Sequence, residues 1–147
     1  MIIVQQSIVI NRPSEQVFAM LASFGNRTSW NTEVLEETQS PPGAIHLGTR
    51  ITQVYKILGG RVRVTSQITE LEPDRKLTLR STPETLPSLQ WTYQLEPIPG
   101  GTRLTFFVQI DLRGAIILSL LRPLVAWRAR IGVRKRLQNL KRVAESR

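Results

Sequence analysis

Few side chains in this sequence could do chemistry, and their types narrow what that chemistry is. Hydroxyls are plentiful through the middle of the chain, Tyr55, Ser66 and Tyr93 among them, while there is one histidine, His46, and no cysteine. Without cysteine there is no disulfide scaffold, no thiol nucleophile and no Cys-based zinc or iron–sulfur site. A single histidine rules out two-His metal motifs and leaves little room for a Ser-His-Asp triad. General acid–base catalysis needs a titratable group held inside a pocket with a shifted pKa. Strand alternation puts Glu70, Glu72, Glu96 and Asp111 on a wet face or in turns, and His46 lies in a Pro/Gly loop that reads as solvated. No catalytic residue, metal ligand or cofactor is therefore assigned. What remains is hydroxyls that can orient the polar end of a ligand, and the reading leans away from an enzyme.

Those hydroxyls are positioned by alternating strands. Residues 2–10 (IIVQQSIVI) are β-branched and apolar, a strand by composition. Pro13 fits the first turn of a helix whose Val17, Phe18, Leu21 and Ala22 share one face before Gly25-Asn26 ends it. A loop is read over residues 39–48. Strands are then expected over 49–58, 61–71, 76–81, 88–96 and 102–112, the first two joined by Gly59-Gly60, a hairpin signal. Val62, Val64, Ser66 and Ile68 fall on one face, as do Leu77, Leu79 and Ser81. Leu89, Trp91, Tyr93 and Leu95 do so too, and Leu104, Phe106, Val108 and Ile110. One apolar and one polar face indicate an antiparallel sheet wetted on one side. Tyr55 is ambiguous, because Ile51, Gln53, Tyr55 and Ile57 compete with Val54 and Leu58 for the inner face.

The apolar face needs a cover, and residues 115–146 hold the one helical pattern long enough to supply it. About thirty residues would span roughly 45 Å, with a bend expected at Pro123. Beyond it, Ala126, Ala129, Val133, Leu137, Leu140 and Ala144 make a stripe that can face the sheet. Leu124, Trp127 and Ile131 make a second stripe on the opposite side, continued by Arg128, Lys135 and Arg142. Charge divides the same way. Of the net +9, residues 1–121 hold 11 basic against 10 acidic side chains, and residues 122–147 hold 9 against 1. Three readings follow for this basic segment: a solvated helix face, an anionic membrane surface met by Leu124, Trp127, Arg128, Ile131, Lys135 and Arg142, or nucleic acid. Nucleic acid ranks last, because no stacking aromatics accompany the arginines. The exposed stripe would also suit a homodimer contact. No secretory leader is apparent, and the apolar stretch over 115–127 is shorter than the ~20 residues a spanning helix needs. The default location is cytoplasmic, with the membrane periphery as the variant.

In order, the motifs resemble a known family. The opening Ser7-Ile8-Val9-Ile10-Asn11-Arg12-Pro13-Ser14-Glu15-Gln16-Val17-Phe18 resembles the strand–Pro–helix start of the polyketide cyclase/dehydrase-like branch of the START-like (SRPBCC) superfamily. Trp30, Gly48-Thr49-Arg50, Ile68-Thr69-Glu70-Leu71-Glu72-Pro73 before Lys76-Leu77, and Gly101-Thr102-Arg103-Leu104-Thr105 are similar to its recurring positions. The resemblance covers roughly residues 3–145. It implies an α+β helix-grip fold in one domain over 1–147: a curved antiparallel sheet of about seven strands gripping a long C-terminal helix, with one or two short helices after the first strand.

The resemblance also implies a deep apolar cavity between sheet and helix, and members that bind lipids, polyketides, hormones or quinones, some of them cyclases. Combined with strand parity, it makes Tyr55, Val64, Ser66, Leu79, Trp91, Tyr93 and Phe106 the cavity lining. Phe24 and Trp30 then lie near its entrance, and Leu118 and Leu121 cover it from the helix. The first function expected is binding or carriage of a hydrophobic small molecule. The alternatives are a polyketide cyclase/dehydratase-like enzyme, which requires a buried ionisable group near Tyr55 or Tyr93, and a peripheral membrane protein exchanging lipid or quinone.

Overall fold

β1 (Ile2–Ile10) is the β-branched run at the start of the chain, with Ile2, Val4 and Ile10 buried. Pro13, extended at φ −61° and ψ 151°, caps α1 (Ser14–Ala22), which buries Val17, Phe18 and Leu21. The start of α1 is pinned to the sheet by Thr102, whose Oγ1 donates to the Arg12 carbonyl at 2.8 Å and lies 3.0 Å from Ser14 Oγ. β2 (Val34–Ser40), β3 (Arg50–Ile57), β4 (Gly60–Glu72), β5 (Lys76–Ser81), β6 (Ser88–Ile98) and β7 (Gly101–Asp111) follow, then α2 (Ile116–Leu120) and α3 (Arg122–Glu145). The computed structural model describes residues 1–23, 30, 34–57, 60–83 and 87–146.

The seven strands form one curved, open antiparallel sheet in the order β1-β7-β6-β5-β4-β3-β2. Register and parity agree along most of it. Leu77 opposes Tyr93, Leu79 opposes Trp91, and Tyr93 opposes Phe106, so the apolar sets line up across strands. A bulge between Ile68 and Glu70 shifts the β4–β5 pairing by one residue, which lets Leu71 oppose Leu77. On the outer face Thr78 is buried all the same, its hydroxyl 3.2 Å from that of Thr92. Glu70 and Lys76 pair beside it at 2.9 Å.

Two expectations are corrected. Residues 39 and 40, read as loop, continue β2, because Gln39 and Ser40 pair with Ile51 and Arg50 of β3. The terminal helix is not one bent rod. The chain breaks at Leu121 (φ −100°, ψ 21°), and Pro123 stands in the first turn of α3. There its missing N–H has no intrahelical acceptor to lose, so the proline starts a helix instead of kinking one. The 24 residues of α3 span about 36 Å.

Basic side chains fix α3 along the outer edge of β1. Arg122 donates to the Met1 carbonyl (2.8 Å) and Lys141 Nζ to the Val9 carbonyl (2.6 Å), while Gln6 Nε2 donates back to the Arg130 carbonyl (3.1 Å). At the far end Glu145 accepts from the Asn11 N–H (2.9 Å) and from Lys141 (2.7 Å). Edge-strand carbonyls that would otherwise await a foreign strand are thus satisfied from within, and part of the C-terminal charge is spent on this.

The ammonium of Lys141, then the Asn11 N–H, hold the Glu145 carboxyl below its ordinary 4.5. A carboxyl whose folded pKa is lowered stabilises the fold above its unfolded pKa and loses that contribution as pH falls through the folded value. Glu145→Gln is therefore expected to lower the melting temperature slightly at pH 7. The gap from the parent protein should close on acidification below about pH 4.5 and narrow in high salt. Thermal melts of both proteins between pH 3 and 8 check this; a gap that does not change with pH would count against the pairing.

Candidate functional site

The site is built on the inner face of the sheet, the face turned toward the helices. Val64, Ser66, Leu79, Trp91, Tyr93 and Phe106 are all buried there, as strand parity predicted. Tyr55 joins them. The β3–β4 register sets Ile51 opposite Ser66, Gln53 opposite Val64 and Tyr55 opposite Val62, so Ile51, Gln53 and Tyr55 face inward. Trp30 is buried at 1% exposure. Phe24 lies outside the described residues.

The helical side of the expected lining differs. Leu118 is half-buried, but Leu121 is 45% exposed and does not cover the inner face. It sits at the break between α2 and α3, where the chain turns and carries its side chain outward. Val62 has inner-face parity yet is 43% exposed. Parity assigns a face and not a cover, and α3 lies at the opposite edge of the sheet, along β1.

Two charged groups at this face, Glu37 and Arg136, escaped the sequence reading. Glu37 opposes Gln53 in the β2–β3 ladder. Tyr55 donates its hydroxyl to Gln53 Oε1 (2.8 Å), and Gln53 Nε2 donates to Glu37 Oε2 (2.5 Å). A carboxyl group, an amide and a phenol thus form a chain of hydrogen bonds. Arg136 places its guanidinium carbon 5.3 Å from the centre of the Phe106 ring, which packs against Tyr93 at a 4.4 Å centroid separation. A cation over an aromatic face is attracted by the ring quadrupole. These hydrogen bonds and the arginine stand near opposite ends of the face, β3 and β7 being four strand spacings apart, about 19 Å.

Between them the face carries the Tyr93 phenol and two serines opposite one another, among apolar side chains. Ser81 Oγ accepts the Leu89 N–H at 2.8 Å. Ser66 Oγ is wholly buried and has no hydrogen-bond partner among the described residues. An unsatisfied buried hydroxyl costs about 1–3 kcal/mol.

Among the described residues the other carboxyl groups and His46 stay outside. Glu70 is held below 4.5 chiefly by its hydrogen bond to Lys76, and Asp111 is drawn down to about 2 by Arg113, both at the surface. His46 is exposed, its Nδ1 2.8 Å from the Leu47 carbonyl. Among the described residues no group of three His, Cys, Asp or Glu could hold a metal ion. An open depression of about 500 Å³, lined by Asn11, Arg12, Asp74 and Gly100 among others, lies at the turn end of the sheet and shares no residue with the inner face.

The arrangement is that of an α+β helix-grip protein with an amphipathic inner face. Residues 1–145 match the family described as polyketide cyclase / dehydrase and lipid transport, and the chain belongs to that family. Solved structures agree on the fold. TTHA0849 from Thermus thermophilus superposes with a TM-score of 0.83 at 22% identity, over 98% of this chain and 97% of that one. The Zhui aromatase/cyclase from Streptomyces sp. R1128 gives 0.81 at 15% identity, over 97% and 93%. A START superfamily protein from Mycobacterium smegmatis gives 0.79 at 12% identity, over 98% and 97%. No curated protein matches the chain.

Proposed function

We propose that the protein binds a hydrophobic small molecule, lipid-, polyketide- or quinone-like, between the inner face of the sheet and α3. The observation that carries this reading is Ser66, a wholly buried hydroxyl on the inner face with no partner among the described residues. A core built for packing alone is better served by alanine there, since the hydroxyl is desolvated without return. A guest with one polar atom supplies the missing partner, and burial of its apolar part drives binding at about 25 cal/mol per Å².

The test separates the two cases. Ser66→Ala is expected to stabilise the guest-free protein by about 1 kcal/mol and to weaken guest binding about tenfold. Native mass spectrometry of the protein after exposure to a lipid extract identifies the guest, and melts with and without it give both numbers. A less stable Ser66→Ala protein, or a parent protein that retains no guest, would remove the reading.

A second reading, a cyclase or dehydratase, is favoured by the hydrogen bonds from Tyr55 to Gln53 and from Gln53 to Glu37, which link a carboxyl group to the phenol through one amide. It predicts turnover of a poly-β-ketone substrate that Glu37→Gln abolishes while leaving guest binding in place. The carrier form of the first reading, with exchange at a membrane, needs a surface able to meet a bilayer.

A further inference from the structure

α2 and the first half of α3 leave large apolar side chains in water: Ile116 (78% exposed), Ile117 (74%), Leu120 (79%), Leu124 (52%), Trp127 (55%) and Ile131 (48%). Isolated exposed leucines are ordinary, but six in consecutive turns are a patch. On α3, Leu124, Trp127 and Ile131 stand opposite the buried Val133, Leu137, Leu140 and Ala144, and the same outer face runs on through Arg128, Lys135 and Arg142, all exposed. Three further cations of this segment are turned to the body, Arg122 to the Met1 carbonyl, Lys141 to Val9 and Glu145, and Arg136 to Phe106, while Arg130 and Arg134 are exposed. The outer three are spaced at one per two turns beside the apolar patch.

We infer that this face docks on an anionic phospholipid bilayer, α2 and the Leu124–Trp127–Ile131 stripe entering the interfacial layer while Arg128, Lys135 and Arg142 meet the headgroups. The sign of the charge selects the occupant. Residues 122–147 carry nine basic side chains and one acidic one, so a second copy docked on the same face by two-fold symmetry would press like charges together. Nucleic acid would satisfy the charge and strand the apolar residues. A bilayer with anionic lipid satisfies both, with tryptophan suited to the boundary. No described helix is long and apolar enough to cross, which fits an element lying in the interface. Docking is independent of what the interior holds.

Flotation with guest-free vesicles tests the inference on the full chain. The protein should rise with phosphatidylcholine vesicles containing about one-third phosphatidylglycerol and remain below with phosphatidylcholine alone, and high salt should release it. Arg128→Glu/Lys135→Glu/Arg142→Glu should weaken binding about a hundredfold or more, and Leu120→Glu/Leu124→Glu should abolish it, with the melting temperatures of both variants kept because the side chains are exposed. Trp127→Phe should remove the emission shift on binding. Equal binding to neutral vesicles, no binding to either, or binding that survives both substitution sets overturns the inference. So does a dimer in light scattering that Leu120→Glu/Leu124→Glu dissociates, which would give the face to a second copy.

Discussion

Phe106→Ala is expected to destabilise the protein by about 4 kcal/mol, within the range for deleting a buried aromatic side chain. Phe106 is 0% exposed and stands on β7, opposite Tyr93 on β6 and Gln6 on β1. Alanine removes the ring that Tyr93 packs against at 4.4 Å and leaves a void in a sheet whose backbone cannot close over it. It also takes away the surface beneath Arg136, 5.3 Å above the ring centre, leaving a half-buried cation with less to face. At roughly 3 °C per kcal/mol for a chain of this size, the melting temperature should fall by about 12 °C. Phe106→Leu restores most of the apolar volume and none of the quadrupole. A double-mutant cycle of Phe106→Leu with Arg136→Met should therefore show a coupling of about 0.5–2 kcal/mol. Additive losses would mean that the guanidinium rests on the ring without interacting with it.

Gly101→Ala is the second large loss, about 3 kcal/mol, and it acts through the backbone. A Cβ at Gly101 would overlap the Ile10 carbonyl oxygen and lie 3.1 Å from its carbon and 3.2 Å from Asn11 Cα. No side chain can swing away to make room, so the β1–β7 ladder must part where Ile10 pairs with Thr102. Thr102 also ties down the start of α1, so the damage spreads to Arg12 and Ser14. The neighbouring Gly100 is the control. Its φ is +83° and a Cβ there meets nothing within 4 Å, so Gly100→Ala should cost only the left-handed strain of about 1 kcal/mol. Urea melts of both variants measure the order; an equal or reversed ranking would refute the steric account.

Much of the fold was legible because each element carried its own local signal. β1 and β5 run over the residues read as strands, and alternation placed Ser66, Leu79, Trp91, Tyr93 and Phe106 on the face where they lie. The signal failed where position depends on a partner. Tyr55 could not be assigned until the register against Val62 was known. β2 reads as polar chain, Glu-Glu-Thr-Gln-Ser, and is a strand because β3 offers it a ladder. Glu37 was hidden with it. Arg136 was within reach: it stands three residues after Val133 and four before Leu140, on the buried side of α3. A long amphipathic cation can lie among apolar neighbours, as charge counting alone does not suggest. Pro123 was weighed as a helix breaker when its context, two residues past a break, made it a helix starter.

The bonds that hold α3 to β1 join residues 121 to 134 positions apart. During synthesis the first strand therefore emerges long before its covering exists. Until β7 is made it has no sheet to join, and until α3 is made its outward carbonyls at Met1 and Val9 stay bare. Such end-to-end closure slows folding relative to a meander that pairs as it emerges. It also leaves chains ending between β7 and α3 apt to aggregate, each presenting a raw strand edge and an uncovered apolar face to its neighbours.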